Sequence, residues 1–133
     1  MRDRFGCALD CMDGRTTEAV TNFLRRKYGI RWVDSITAPG INKILAESLD
    51  ESTIKKIKND LGISIQRHNS EVVAITGHPE CGGNPADKER QIKQLRIAKK
   101  NVEAFGFDID IVLLWVENDW ETVEEVDFNF IQA

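Results

Sequence analysis

Stretches with strand character alternate with stretches at helical spacing along this chain, and no other feature narrows its fold as far. The alternation marks an α/β domain built on a parallel sheet, because parallel neighbours need a long crossover that a helix supplies. Phe5 to Cys11 is a short, mostly apolar run and reads as a first buried strand. Thr16-Thr17-Glu18 opens a helix in which Val20, Phe23, Leu24 and Tyr28 recur at helical spacing, with Gly29 as its stop. Ile30 to Ile36 reads as a second strand, ended by the turn signal Ala38-Pro39-Gly40.

From Asp50 to about His68, Ile54, Ile57, Leu61 and Ile65 share one face of a long helix whose other side carries Lys55, Lys56, Lys58 and Asp60. Gly62 falls inside that helix at a cost of about 1 kcal/mol, and His68 stands at its C-terminus. Glu71 to Thr76 is the third strand and delivers Gly77-His78 at its carboxyl end. Pro85 opens a helix carrying Ile92, Leu95, Ala98, Val102 and Phe105, which runs to Gly106. Ile109 to Val116 is the longest apolar run, a fully buried fourth strand, and Thr122 to Val126 adds a short antiparallel edge. No repeat or linker divides the chain, so residues 1–133 are expected to form a single domain.

Length and charge exclude several classes of function. A chain of 133 residues with 41% hydrophobic content can bury a core without staples. Its net charge of −4 is made of mixed signs, and basic runs such as Arg25-Arg26-Lys27 and Lys99-Lys100 are short, which argues against a nucleic-acid partner. Met1-Arg2-Asp3-Arg4 is not followed by an apolar signal core, and no apolar run approaches the ~18 residues that cross a bilayer. The expectation is a soluble, cytoplasmic protein with no membrane partner. Three cysteines are an odd count, and two of them fit a metal pattern, so no disulfide framework is expected and Cys7 is left as an inert core thiol.

The chemistry concentrates in two segments, Cys11-Met12-Asp13-Gly14-Arg15 and Gly77-His78-Pro79-Glu80-Cys81-Gly82-Gly83. Together they offer two thiolates and an imidazole, the donors of a zinc site with one position left open, and a carboxylate beside a guanidinium. Two thiolates cancel the metal's double charge, so zinc is stable in a partly apolar cleft. A water in the fourth position would have its pKa lowered toward roughly neutral, giving a hydroxide nucleophile. Asp13 lies two residues beyond Cys11, and Arg15 two beyond that, so a turning backbone brings all three to one side. The planar guanidinium of Arg15 can hold Asp13 bidentately and keep it ionised.

These segments, in this order and each after a strand, resemble the β-class carbonic anhydrases, whose zinc ligands come from a C-x-D-x-R segment followed by an H-x-x-C segment. The resemblance implies that Cys11, His78 and Cys81 bind zinc and that Asp13 and Arg15 are the catalytic dyad. It also implies a three-layer α/β fold: a mostly parallel four-stranded sheet in the order second, first, third, fourth, with helices on both faces. The ends of the first and third strands would then meet at one site. The implied reaction is the interconversion of carbon dioxide and bicarbonate, in a homodimer or higher homo-oligomer. Two arrangements are known in the family, an open one with Asp13 held by Arg15 and a closed one with Asp13 on the metal.

The chain departs from that pattern in three places. Gly14 stands where the family usually has serine, and its glycine-rich turn after the second strand is Thr37-Ala38-Pro39-Gly40 here. Only Met1 to Asp10 precede Cys11, so the family's N-terminal arm, with its dimer contacts and substrate-facing glutamine, is not expected. The tail Asp127-Phe128-Asn129-Phe130-Ile131 carries aromatic residues that a partner subunit could cover. Gly82-Gly83 either lets the backbone pass close to a metal or substrate or simply forms a loop, and the helix from Pro85 would point its positive end at the site, favouring bicarbonate.

Other readings use the same residues. Cys11 and Cys81 could be core thiols, and Asp13–Arg15 a surface ion pair. A zinc hydrolase of carbon disulfide or carbonyl sulfide would employ the same ligands, as would a non-catalytic zinc-binding or redox protein. A cysteine phosphatase is disfavoured, since its C-x5-R loop would need arginine at Thr17.

Overall fold

The structure is a computed structural model describing residues 3–127. Its elements run β1 (Phe5–Asp10), α1 (Thr17–Tyr28), β2 (Trp32–Thr37), α2 (Ile41–Glu47), α3 (Glu51–His68), β3 (Val72–Gly77), α4 (Lys88–Glu103), β4 (Asp110–Val116) and β5 (Val123–Val126). The strands form one sheet in the order β2-β1-β3-β4-β5. The first four are parallel in the expected order, and the short C-terminal strand pairs antiparallel with β4, Val116 opposite Val123. The aromatic tail from Phe128 onward lies outside the described residues.

Alternate residues of the buried strands feed two cores. Cys7 and Leu9 of β1, Val73 and Ile75 of β3, and Leu113 and Trp115 of β4 face α2, α3 and α4, where Leu45, Leu61 and Leu95 are fully buried. Ala8, Ala74 and Leu114 face α1, which packs Val20 and Leu24 against them. Burial of this kind is worth about 1.5–3 kcal/mol per large aliphatic side chain and gives the sheet its helical cover on both sides.

Several expected boundaries move, each for a visible reason. β2 starts at Trp32 rather than Ile30, because Ile30 is in the α1-side core and the amides of Arg31 and Trp32 both donate to the Arg4 carbonyl. α4 starts at Lys88 rather than Pro85: Asp87 caps it by accepting the Arg90 amide, while Cys81 to Asn84 form a tight turn first. The seven-residue helix α2 was not anticipated; it is bracketed by Gly40 and Ser48, both in the left-handed region. Gly62 does sit inside a continuous α3, and a β-carbon there would come within 3.2 Å of the Phe107 ring. That close approach explains why the helix tolerates glycine.

His68 ends α3, stacks on Phe5 at 4.4 Å and reaches Asp34 at 2.7 Å through Nδ1. Cys7 is an enclosed thiol, pushed up to about 12 chiefly by burial. Among the described residues no helix is long and apolar enough to cross a membrane.

Candidate metal centre

Because β1 and β3 are neighbours, the residues that follow them meet: Cys11 follows Asp10, and His78 follows Gly77. Cys81 is brought back beside them by a turn in which the Asn84 amide donates to the Cys81 carbonyl. The ligand atoms of Cys11, His78 and Cys81 all lie within 4.8 Å of one another, and all three residues are buried. The two sulfurs are 3.8 Å apart. Two thiolates on a tetrahedral zinc, with bonds of ~2.3 Å, would be separated by about 3.8 Å, so the spacing fits.

His78 supplies the second test of fit. Its Nδ1 lies 2.7 Å from the Pro79 carbonyl, which can only accept, so Nδ1 carries the proton and Nε2 is left with its lone pair. The residue is 1% exposed, and among the described residues Nε2 is the one buried side-chain polar atom with no partner. A buried acceptor without a donor is costly unless something binds it, and here it belongs to the same close group as the two sulfurs. Burial first, and then the Cys11 sulfur, push the Cys81 thiol above its ordinary value. A dication at this point would reverse that by favouring the thiolates.

Two buried polar residues that the sequence reading passed over hold this geometry. Gln91 of α4 clamps the backbone of His78 on both sides: its Oε1 accepts the His78 amide at 3.3 Å and its Nε2 donates to the His78 carbonyl at 2.9 Å. Asn42 donates to the same Oε1 at 3.0 Å, and Asn84 donates to Asn42 and Gln94, so the amides form a connected network. The signal was present, since Gln91 occupies an apolar-face position at helical spacing from Leu95, Ala98 and Val102.

Asp10 is the second. It closes a buried strand, accepts from the hydroxyls of Thr16 and Thr76 and from the Cys11 amide at 2.9 Å, and so ties β1, β3 and the start of α1 together beside the first ligand. Burial pushes its carboxyl up, against the pull of those donors. An acidic residue at the end of an apolar strand was its sequence signal.

Asp13 and Arg15 meet as expected. Arg15 Nε and Nη2 donate to the two carboxylate oxygens at 3.1 and 2.8 Å, and the Arg15 amide adds a third bond at 3.0 Å. Hydrogen bonding to Arg15 is the largest cause holding the Asp13 carboxyl down at about 2. Asp13 is not in the close group of three ligands, its carboxylate being engaged by Arg15. Arg15 also donates through Nη1 to Glu80 at 2.9 Å, and its guanidinium lies 4.0 Å from the Trp120 ring centroid. Neither Glu80 nor Trp120 was singled out from the sequence.

Of the two readings of Gly82-Gly83, the structure shows the loop. A β-carbon on Gly83 would sit 2.5 Å from the Pro39 carbonyl carbon, and one on Gly40 would sit 2.5 Å from the Gly83 oxygen. Gly83 therefore lets two loops cross backbone to backbone, while a β-carbon on Gly82 would meet nothing within 4 Å. The N-terminus of α4 begins at Lys88 rather than Pro85, and the Asp87 carboxylate accepts the Arg90 amide there.

Solved β-carbonic anhydrases share this fold. The solved β-carbonic anhydrase isoform I of Trichomonas vaginalis is 20% identical, with 93% of this chain and 82% of that one covered at a TM-score of 0.62. The carbonic anhydrase of Streptococcus mutans is 18% identical, covering 93% and 81% at 0.59. At such identities the likeness is one of fold. No match was found among curated proteins. The family described as "Putative carbonic anhydrase" matches residues 1–127, and the chain belongs to that family.

Proposed function

We propose that this protein is a zinc-dependent carbonic anhydrase interconverting carbon dioxide and bicarbonate. The observation that carries the reading is the unpartnered, buried Nε2 of His78 grouped with two sulfurs at zinc-like spacing. Cys11, His78 and Cys81 would hold the metal, whose chemistry is that of a Lewis acid that lowers the pKa of water. Asp13 would accept the proton that a water loses on becoming the hydroxide nucleophile, which then adds to the carbon to give bicarbonate. Arg15 orients Asp13 and keeps it ionised, holding its carboxyl at about 2, so that it is a carboxylate throughout the neutral range.

Stopped-flow hydration of carbon dioxide by protein verified to carry zinc tests this. Activity at neutral pH should exceed that of Cys81→Ser, and Asp13→Asn should lower it by about a hundredfold, the usual share of a positioned base. No activity at neutral or alkaline pH with zinc fully bound would count against carbon dioxide and turn attention to carbon disulfide or carbonyl sulfide.

We further infer a homodimer, as the family resemblance implies. β2 is an edge strand, and Trp32 at its start and Met12 beside the site are both exposed. Light scattering should give about twice the 15.1 kDa of the chain, and a monomer would contradict it.

A further inference from the structure

We propose that Trp120 and Glu80 are positioning residues of the metal centre: they immobilise the Arg15 guanidinium and so keep the Asp13 carboxylate turned away from Cys11, His78 and Cys81. The proposal rests on the zinc reading above, but concerns residues that the reading does not use.

Arg15 is held on three sides. Asp13 takes its Nε–Nη2 edge, Glu80 takes Nη1, and the indole of Trp120 covers its face. These contacts do not compete, because they use separate edges and a face of one planar group. Trp120 also meets the His78 ring edge-on, with centroids 5.9 Å apart, so one side chain touches both the dyad and a metal ligand.

The backbone points the same way. Five non-glycine residues among those described have positive φ. Ser48 and Asn69 stop α2 and α3, the ordinary use of that conformation. The other three stop no helix: Asp127 at 67° pairs with Arg96, while Glu80 at 55° and Trp120 at 58° both contact Arg15. For a residue as bulky as tryptophan this region is a real outlier, and such strain persists only where surrounding structure enforces it. The β4–β5 turn does so: the Trp120 amide donates to the Glu117 carbonyl at 3.0 Å, and Asp119 accepts from the amides of Glu121 and Thr122 at 2.9 and 2.8 Å. The strain places the indole against Arg15.

If the guanidinium is freed, the Asp13 carboxylate keeps only the Arg15 amide of its present partners and can turn to ligate a metal held by Cys11, His78 and Cys81. Cobalt(II) in place of zinc reports this directly, since its visible bands shift when thiocyanate takes an open coordination position and not when a carboxylate already fills it. The wild-type cobalt protein should respond to thiocyanate at neutral pH. Trp120→Leu removes the aromatic face without changing the demand on φ, and should weaken the response about fivefold, the scale of a cation–π contact at a partly exposed site. Glu80→Gln should weaken it about threefold, as befits an exposed pair.

Adding Asp13→Asn to either variant should restore the response, a rescue that a merely structural role would not produce. Trp120→Phe, which keeps a ring, should stay near wild type. Unchanged thiocyanate binding in the Leu and Gln variants, failure of Asp13→Asn to rescue, or a wild-type protein that holds cobalt yet ignores thiocyanate would each overturn the proposal. A wild-type protein that takes up no cobalt or zinc would instead overturn the metal reading, and this proposal with it. Should Trp120→Leu not fold, Glu80→Gln with and without Asp13→Asn decides the matter alone.

Discussion

Cys81→Ser is expected to yield a folded protein that no longer retains zinc. The substitution exchanges sulfur for oxygen in a side chain of nearly equal size, at a position that is buried but held by backbone contacts to Asn84. A serine hydroxyl does not ionise readily, so the site would keep one thiolate to set against a double charge, with the buried Cys11 and His78 as its remaining donors. Loss of an outer-shell partner alone costs about 10- to 100-fold in metal affinity, and loss of a ligand should exceed that. Metal analysis after dialysis, with circular dichroism as the check on folding, measures it. Full zinc occupancy in a folded Cys81→Ser protein would remove the basis of the proposed site.

Gly83→Ala should be strongly destabilising for a single added methyl. Its β-carbon would have to occupy space 2.5, 2.7 and 2.8 Å from the Pro39 carbon, the Gly40 nitrogen and the Pro39 oxygen, all backbone atoms with no rotamer through which to retreat. Overpacking of this kind costs about 3 kcal/mol or more when the obstacle cannot move, which lowers the melting temperature by on the order of 10 °C in a domain this size. Gly82→Ala provides the neighbouring control, because nothing lies within 4 Å of its β-carbon and its φ is not positive. It should change stability by less than about 0.5 kcal/mol. Equal melting temperatures for the two variants would mean that the loops are not in backbone contact.

Strand identity and order were legible because the runs ending in Asp10, Gly77 and Val116 are too apolar to be anything but interior, and an interior parallel sheet admits few arrangements. The resemblance read from two short segments pointed to the same order. Legibility failed where the deciding force is tertiary. Helix α2 is set by two left-handed caps and by packing of Ile41 and Leu45 into the core, neither of which leaves a long periodic pattern. Gln91 looked like an ordinary polar helix residue until its position on the apolar face was matched to the backbone of His78 across the fold. Trp120 and Glu80 are far apart in sequence from each other and from Arg15, so only the meeting of the β1, β3 and β4 ends brings them together.

The crossing of Gly40 and Gly83 couples the loop after β2 to the loop after β3 with no side chain between them, so neither backbone can shift unless the other follows. The β4–β5 hairpin meets the turn before α1 differently, through the Trp120 ring against the Arg15 guanidinium, a contact that a change of rotamer can open. One flank of the site is therefore fixed at the backbone, while the other can adjust through side chains alone.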